Sequence, residues 1–205
     1  ELLSSTNCGR SQLNLKNQHW LVYVGPGQTE KIDESGESKK VSEIVHLKDY
    51  LWNHLDDVTI PLYSYDGSIK KKAERQAMLN NFQMGGGICL ACQMLDEGVD
   101  IPELSRAIVM ASSENRRQYI QRRGRLLRKD KRLIDDKPPV NLIWDMMVLP
   151  NRDLLDDQDD LKFYETIIKK ECLRALEFCK DAENSKDMES QINLIRNDYV
   201  SEVYE

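Results

Sequence analysis

The stretch GGGICLACQMLDEGVDIP, residues 85–102, indicates the fold class of this 205-residue chain. Three glycines lead into a short apolar run, residues 88–92, and a polar loop follows over residues 93–104. A short apolar run bounded by turn signals is typical of a strand that is buried on both faces of a parallel sheet. Ligands of open α/β sheets bind where the strands end, so we expect this loop to lie near a functional site.

Strand-like and helix-like patterns alternate on both sides of this stretch. The other predicted strands are apolar runs at residues 19–25, 58–68, 107–112 and 140–148. Helical patterns predict helices over 41–55 and 68–82, and a third from residue 115 at least as far as 124 within 115–128. Residues 28–40 are polar and charged and predict a solvated loop. This order predicts an α/β fold, with a mainly parallel sheet flanked by helices.

Two of the predicted helices have an apolar face whose members can be named. In the helix over 41–55, the apolar residues at helical spacing include Val45 and Trp52. In the helix over 68–82, Ser68 can cap the first turn. The apolar face of this second helix comprises Ile69, Ala73, Ala77, Met78 and Phe82.

The composition excludes several classes of protein. Apolar residues make up 40% of the chain, which favours a packed core over disorder. No apolar run approaches the length of a membrane span, so we expect no membrane contact. The five cysteines are odd in number and no secretory signal is present, which favours reduced thiols and a cytoplasmic location. Cys89 and Cys92 form a single CxxC pair whose members point to opposite faces of a strand, so we expect no metal site.

Charge is unevenly distributed along the chain. The formal net charge is −6, yet residues 115–132 carry nine basic residues and one acid. After Pro150, residues 151–205 carry eight basic residues and fifteen acids and have helical periodicity. We expect this acidic helical extension to pack on the preceding domain or on a partner protein. The chain begins without Met, so we expect it to be part of a longer protein.

The basic segment has a defined geometry. Gln121, Arg125 and Arg128 are spaced i, i+4, i+7 and share one helical face. No acid lies between Arg116 and Lys129 to form i, i+4 pairs, so these arginines need an external anion. Arginine binds phosphate oxygens through two parallel hydrogen bonds, which favours the phosphate of a nucleotide or of a nucleic acid.

Two residues of the polar loop can have either a functional or a local role. Gly98 and Asp100 suit a close backbone approach and a carboxylate that accepts a hydrogen bond from a sugar hydroxyl. Alternatively, Gly98 can supply a positive φ and Asp100 can stabilise a turn before Pro102. Their local chemistry alone favours this second, local role.

The motifs, taken together, resemble a known family. QRRGRLLR (121–128) resembles the Q-x-x-G-R-x-x-R signature of superfamily 2 helicases and translocases, and CLACQMLDEGVDIP (89–102) resembles the signature before it. HWLVYVG (19–25) and YDGSIKKKAERQAMLNNF (65–82) resemble earlier parts of the second RecA-like domain. The residues of LDEGVDIP and QRRGRLLR are closer to those of the DNA-repair and restriction-type DEAD/DEAH translocases than to those of the RNA DEAD-box branch. That branch usually has His in place of Gln121.

The resemblance implies an ATP-dependent helicase or translocase whose first RecA-like domain holds most of the ATP and Mg²⁺. Arg125 and Arg128 would be arginine fingers that reach the γ-phosphate, and Gln121 would lie beside the phosphates and couple the domains. Gly98 and Asp100 would contact the nucleotide or the partner domain, with Asp100 near the ribose. On this basis residues 1–14 form a linker, 15–150 the RecA-like domain and 151–205 the extension.

The resemblance also implies a nucleic-acid path, with DNA favoured over RNA. Backbone phosphates would contact Gly67, Ser68, Gln93 and Met94. The family usually has Thr or Ser near Cys92, where a hydroxyl touches the nucleic acid, so the cysteine puts that contact in doubt. The chain contains no G-x-x-x-x-G-K-[ST] phosphate loop. It therefore holds half of an ATPase site, and we expect the isolated chain to be inactive.

A second hypothesis comes from a different functional class. The basic helix could serve a non-enzymatic domain that binds nucleic acid or a phosphorylated partner. A phosphate loop and an acidic DE-x-x motif encoded upstream of Glu1 would favour the motor, and their absence from the parent gene would favour the binding domain. In a bacterial cell, a DNA motor of this kind would be associated with the nucleoid.

Overall fold

A computed structural model of the chain describes two compact units, residues 1–144 and 145–205. The described residues are 7–8, 11–12, 18–32, 38–55, 59–67, 69–92, 104, 106–110, 142–150 and 158–201. The strands are β1 (Asn7–Cys8), β2 (Ser11–Gln12), β3 (His19–Tyr23), β4 (Gln28–Ile32), β5 (Ser38–Ser42), β6 (Leu62–Tyr65), β7 (Gly87–Ala91), β8 (Arg106–Val109) and β9 (Leu142–Asp145). The helices are α1 (Glu43–His54), α2 (Lys72–Gly85), α3 (Gln158–Cys179) and α4 (Ser185–Ser201).

The main sheet has five strands in the order β6-β7-β3-β8-β9. The pairs β6–β7, β7–β3 and β3–β8 are all parallel. β3 lies at the centre, and its residues from Trp20 to Tyr23 are all buried. Burial on both faces explains why β3 and β7 are continuously apolar, since parallel sheets are covered by helices on each side. The predicted α/β class and mainly parallel sheet are confirmed.

One face of this sheet packs against α1. Ile44, Leu51 and Leu55 come from α1 and its C-cap. They join the even-numbered residues of β3 and β7 in one buried cluster, which includes Trp20, Val22, Ile88 and Leu90. Trp144 of β9 stacks on Trp20, with ring centroids 5.2 Å apart. Residues two apart on a strand share a face, so this cluster defines one side of the sheet.

The opposite face packs against α2. Phe82 of α2 is fully buried and contacts the rings of His19 and Tyr63 edge-on, with centroids 5.2 and 5.5 Å away. Edge-to-face contacts of this kind are a preferred arrangement of aromatic rings. Helices therefore lie on both faces of the sheet, as the sequence predicts.

The prediction of a solvated loop over 28–40 is wrong. These residues contain most of an antiparallel hairpin, β4–β5, whose register runs from Gln28 opposite Ser42 to Ile32 opposite Ser38. A ribbon of only two strands can expose both faces, so its strands do not need the apolar alternation that identifies a half-buried strand. Lys39 and Lys40 of this hairpin are exposed.

Two details of the predicted helices also need correction. α2 begins at Lys72, so its N-cap is Lys71 rather than the predicted Ser68, and the Lys71 side chain forms no capping hydrogen bond. Leu79 and Phe82 are its buried residues, whereas Ala73 and Ala77 are exposed. In α1, Val45 and Trp52 are 43% and 65% exposed and lie outside the core. The spacing of apolar residues correctly predicted both helices. However, the face that each helix buries against the sheet is narrower than the face its apolar residues cover.

The three glycines at 85–87 connect α2 to β7 in a tight turn. Gly86 caps α2 with φ 69°, and Gly87 begins β7 with φ 111°. A Cβ atom at Gly87 would collide with the carbonyl oxygen of Pro61, whose carbonyl also accepts the Ile88 N–H at 2.9 Å. Only glycine satisfies both the positive φ and this close approach.

We expect Gly87→Ala to lower the free energy of unfolding by about 2–3 kcal/mol, because the strained φ and the backbone collision add. Urea unfolding followed by tryptophan fluorescence measures this change. Gly85→Ala is the matched control, since Gly85 is the last helical residue, has no positive φ and has no close neighbour. Equal losses from both substitutions would contradict the geometric explanation.

The second unit contains the helical pair α3–α4. Its buried cluster comprises Ile168, Cys172, Ala175, Cys179 and Ile192. In α3 these residues follow one another at intervals of four, three and four, which gives one apolar stripe that packs against α4. Within the described part of the chain, no helix combines the length and apolar character that crossing a membrane requires.

Candidate functional site

Four parallel strands end side by side at one edge of the main sheet. The register pairs their last residues in one row, in the order Tyr65, Ala91, Tyr23 and Val109. The residues that follow them directly are Asp66, Cys92, Val24 and Met110, which we call the carboxyl rim. The segments after β7 and β8 therefore leave the sheet from the same edge.

Hydrogen bonds extend the sheet into the carboxyl rim. The Val24 N–H donates to the Ala91 carbonyl at 2.9 Å, and the Met110 N–H donates to the Tyr23 carbonyl at 3.0 Å. The Cys92 N–H donates to the Tyr65 carbonyl at 3.3 Å. The rim is therefore fixed by backbone hydrogen bonds to the ends of β6, β7 and β3.

The loop Gly25–Gly27 lies against this rim. The Gly25 carbonyl accepts a hydrogen bond from the Cys92 thiol, with Sγ and O 3.4 Å apart. The Gly27 carbonyl accepts the Glu43 N–H at 3.1 Å, at the start of α1. A Cβ atom at Gly27 would collide with the Glu43 carboxylate, so glycine permits this close approach.

One of the predicted site residues lies within the described residues. Gly67 follows Asp66 of the carboxyl rim, is exposed and has open space around its α-carbon. The other predicted residues lie outside the described residues: Ser68, Gln93, Met94, Gly98, Asp100, Gln121, Arg125 and Arg128. Their assigned roles remain predictions.

The two cysteines of the CxxC pair have different environments. Cys89 is fully buried, and burial raises the pKa of its thiol to about 12. Cys92 is half-buried and packs with the cluster on the α1 side of the sheet. The expected opposite orientation of the two side chains is confirmed.

Sequence reasoning missed a basic cluster beside the rim. Lys70, Lys71 and Lys72 follow Gly67 closely, and all three are exposed. Lys71 forms an exposed ion pair with Glu74 at 3.0 Å. Positive side chains interact unfavourably with the dipole at the start of a helix. Three consecutive lysines at the start of the predicted helix are therefore unusual, and this could have identified the cluster from the sequence.

A protein-family model matches the part of the chain that contains most of these strands. The model described as the helicase conserved C-terminal domain matches residues 28–130, just over half of the chain. The matched range contains β4 to β8 and the segments that follow β7 and β8.

Two curated proteins resemble parts of this chain. The DNA 3'-5' translocase XPB2 of Sulfurisphaera tokodaii is 41% identical over 71 residues, which are 34% of this chain and 16% of that protein. Dicer-like protein 2 of Phaeosphaeria nodorum is 31% identical over 68 residues, 33% of this chain and 5% of that protein. The matched parts thus span less than one fifth of either relative.

Two of the solved structures that align with this chain have TM-scores below 0.5. The C-terminal part of the Fun30 ATPase domain has a TM-score of 0.44 and 14% identity, covering 88% of this chain and 48% of that one. S. cerevisiae Dbp5 bound to RNA and ADP BeF3 has a TM-score of 0.42 and 13% identity, covering 87% of this chain and 38% of that one.

Proposed function

Since this chain belongs to the helicase conserved C-terminal domain family, we propose that it is the second motor domain of an ATP-dependent nucleic-acid translocase. The observation that carries the proposal is the single row in which β6, β7, β3 and β8 end. The segments that hold Gly98, Asp100, Gln121, Arg125 and Arg128 follow β7 and β8 in the chain. Ligands of open α/β sheets bind at this edge.

In this proposal the nucleotide is shared between two domains. A first RecA-like domain outside this chain holds ATP and Mg²⁺, which supply the transferable phosphoryl group and its charge neutralisation. Arg125 and Arg128 stabilise the charge that develops on that group, and Gln121 lies beside the phosphates. Gly98 and Asp100 contact the nucleotide or the first domain, with Asp100 at the ribose.

The proposed nucleic-acid path follows the carboxyl rim. Gly67, Ser68, Gln93 and Met94 would contact backbone phosphates, and the neighbouring lysines at 70–72 add positive charge to the same edge. Phosphate contacts give affinity without reading sequence and weaken as salt rises. DNA is the preferred substrate in this proposal, because the translocase relative, at 41% identity over its matched part, acts on DNA.

The helical extension is proposed to bind a partner protein. The α3–α4 pair exposes Phe163, Leu173 and Leu194, which are 60% exposed or more. Exposed apolar side chains of this size suit a partner protein. We assign the motor to the cytoplasm, and to the nucleoid in a bacterial cell.

A comparison of ATP hydrolysis tests the half-site. The purified 205-residue chain is expected to hydrolyse ATP no faster than buffer, with or without single-stranded DNA. The protein that joins it to the first motor domain should turn over ATP and respond to DNA. Hydrolysis by the 205-residue chain alone would disprove the half-site. A joined protein that binds DNA but never hydrolyses ATP would leave the non-enzymatic binding domain as the better explanation.

A further inference from the structure

Cys92 directly follows β7 and precedes the segment that carries Gly98 and Asp100. Its backbone N–H donates to the Tyr65 carbonyl at 3.3 Å, and its thiol donates to the Gly25 carbonyl at 3.4 Å. The residue before it, Ala91, accepts the Val24 N–H at 2.9 Å. Cys92 is therefore attached to β6 on one side and to the end of β3 on the other.

The side chain of Cys92 is directed into the protein rather than across the rim. It is half-buried and packs against the apolar cluster that includes Val24 and Leu90. Its hydrogen-bond acceptor, Gly25, is buried. A thiol donates one hydrogen, so the bond to Gly25 uses the donor that a nucleic-acid phosphate would need.

The acceptor loop continues to α1. Gly25 is followed by Pro26 and then by Gly27, whose carbonyl accepts the Glu43 N–H at 3.1 Å. Pro26 restricts the loop because its ring fixes φ. The bond from Cys92 thus joins the end of β7 to a short, stiff loop that is itself held by the first residue of α1.

From these contacts we infer that Cys92 is a positioning residue, which holds the loop Gly25–Gly27 to the end of β7 and so fixes the start of the segment 93–100. It acts through the protein and does not contact nucleic acid. The inference concerns the thiol bond itself, while its consequence for ATP turnover rests on the proposed function. The family usually has Thr or Ser near this position, with a hydroxyl that contacts nucleic acid. In this chain, Cys92 instead makes a hydrogen bond within the protein.

Hydrogen exchange in the 205-residue chain tests the bond without any reference to ATP. Cys92→Ala is expected to raise exchange of the Glu43 amide, which donates to the Gly27 carbonyl of this loop, about fivefold, the effect of losing one net hydrogen bond. Cys92→Ser keeps a donor and should stay within about twofold of the natural chain. The amides of the buried strand β3, such as that of Val22, should not change in either variant.

Three results would overturn the inference. Equal exchange in the Ala and Ser variants would show that the thiol bond does not hold the loop. Faster exchange throughout β3 in Cys92→Ala would show general destabilisation instead. Loss of single-stranded DNA affinity in Cys92→Ala, regained in Cys92→Ser with unchanged loop exchange, would make position 92 a nucleic-acid contact.

The rate of ATP hydrolysis tests whether the Cys92–Gly25 hydrogen bond affects the proposed motor activity. In the protein that joins this chain to its first motor domain, Cys92→Ala should lower kcat for ATP about threefold to tenfold, corresponding to one hydrogen bond. The DNA concentration that gives half-maximal stimulation should stay unchanged, and Cys92→Ser should restore kcat. A change in that DNA concentration with normal kcat would contradict the positioning role. Absence of all turnover in the natural joined protein would reject the proposed function and leave the exchange result intact.

Discussion

Arg125→Ala, in the protein that joins this chain to its first motor domain, is expected to lower kcat for ATP hydrolysis about 10³-fold or more. The expected loss is large because an arginine finger stabilises negative charge that develops on the phosphoryl group only during transfer. The ATP concentration at half-maximal rate should change little, since the first domain holds most of the nucleotide. Steady-state hydrolysis with saturating DNA and a separate measurement of ATP binding together provide the test.

Two further variants make this test specific. Arg122→Ala removes the same charge three residues earlier but lies off the face shared by Gln121, Arg125 and Arg128, so turnover should stay within a few-fold of normal. Arg125→Lys keeps the charge but loses the planar fork, so it should restore little of the rate. Normal turnover in Arg125→Ala would refute the finger assignment, and equal losses in Arg122→Ala would reduce it to a general charge effect.

The strands of the main sheet were predictable because burial on both faces leaves a strong local signal. The runs at 19–25 and 88–92 correspond to β3 and β7 within two residues. A central parallel strand has no solvent face, so every residue must be apolar or small, and this requirement is visible in the sequence without any partner. The order of strands and helices then limits the topology to a mainly parallel sheet.

The hairpin β4–β5 and the core-facing sides of the helices were not predictable in the same way. The hairpin is held by pairing between its own two strands, and its polar residues carry no periodic signal. Trp52 looks like a core residue because it has the right spacing, yet it is 65% exposed. Which part of an apolar stripe is buried depends on where the helix meets the sheet, and that is a tertiary property.

In the candidate site, too, local spacing was predictable from the sequence and a contact between distant residues was not. The spacing of Gln121, Arg125 and Arg128 predicts a shared face, and the rim confirms that β7 and β8 end at the same edge. The role of Cys92 could not be read from the sequence, because its acceptor at Gly25 is 67 residues away in the chain. A contact of this kind depends on the alignment of β3 with β7, which the residue pattern does not specify.

The second large expected effect concerns the arginine of α3 that binds two carboxylates. Arg174 donates to both Asp145 oxygens at 2.8 and 2.7 Å, and to both Glu171 oxygens at 3.0 and 2.7 Å. The side chains of Arg174 and Asp145 are only 8% and 11% exposed. Glu171 also accepts the Val148 N–H at 3.3 Å. The guanidinium is therefore the charge partner of two nearly buried carboxylates.

Burial affects both partners of this ion pair. Burial raises the pKa of the Asp145 carboxyl, and the Arg174 guanidinium acts against that rise by favouring the carboxylate. Burial alone would lower the pKa of Arg174, but its hydrogen bonds to Glu171 and the charge of Asp145 raise it overall. Without Arg174, the nearly buried Asp145 carboxylate would lose its charge partner and would face the Glu171 carboxylate alone.

Arg174→Ala is therefore expected to lower the free energy of unfolding of the unit 145–205 by about 3–5 kcal/mol, because it leaves buried charges unpaired. The helical circular-dichroism signal of α3 and α4 during urea unfolding measures the change. Lys169→Ala is the matched control, since it removes an exposed ion pair with Glu165 on the same helix and should cost less than about 1 kcal/mol.

The pH dependence separates charge from packing in this result. Protonation neutralises the Asp145 carboxylate, and burial makes that protonation easier by raising the pKa of Asp145. The stability deficit of Arg174→Ala should therefore shrink as the pH falls from about 7 toward about 4, since a neutral Asp145 carboxyl no longer needs the guanidinium. In the triple variant Arg174→Met, Asp145→Asn, Glu171→Gln, most of the lost stability should return at neutral pH. A deficit that is independent of pH and persists in the triple variant would show that Arg174 stabilises the unit through packing of its side chain rather than through its charge.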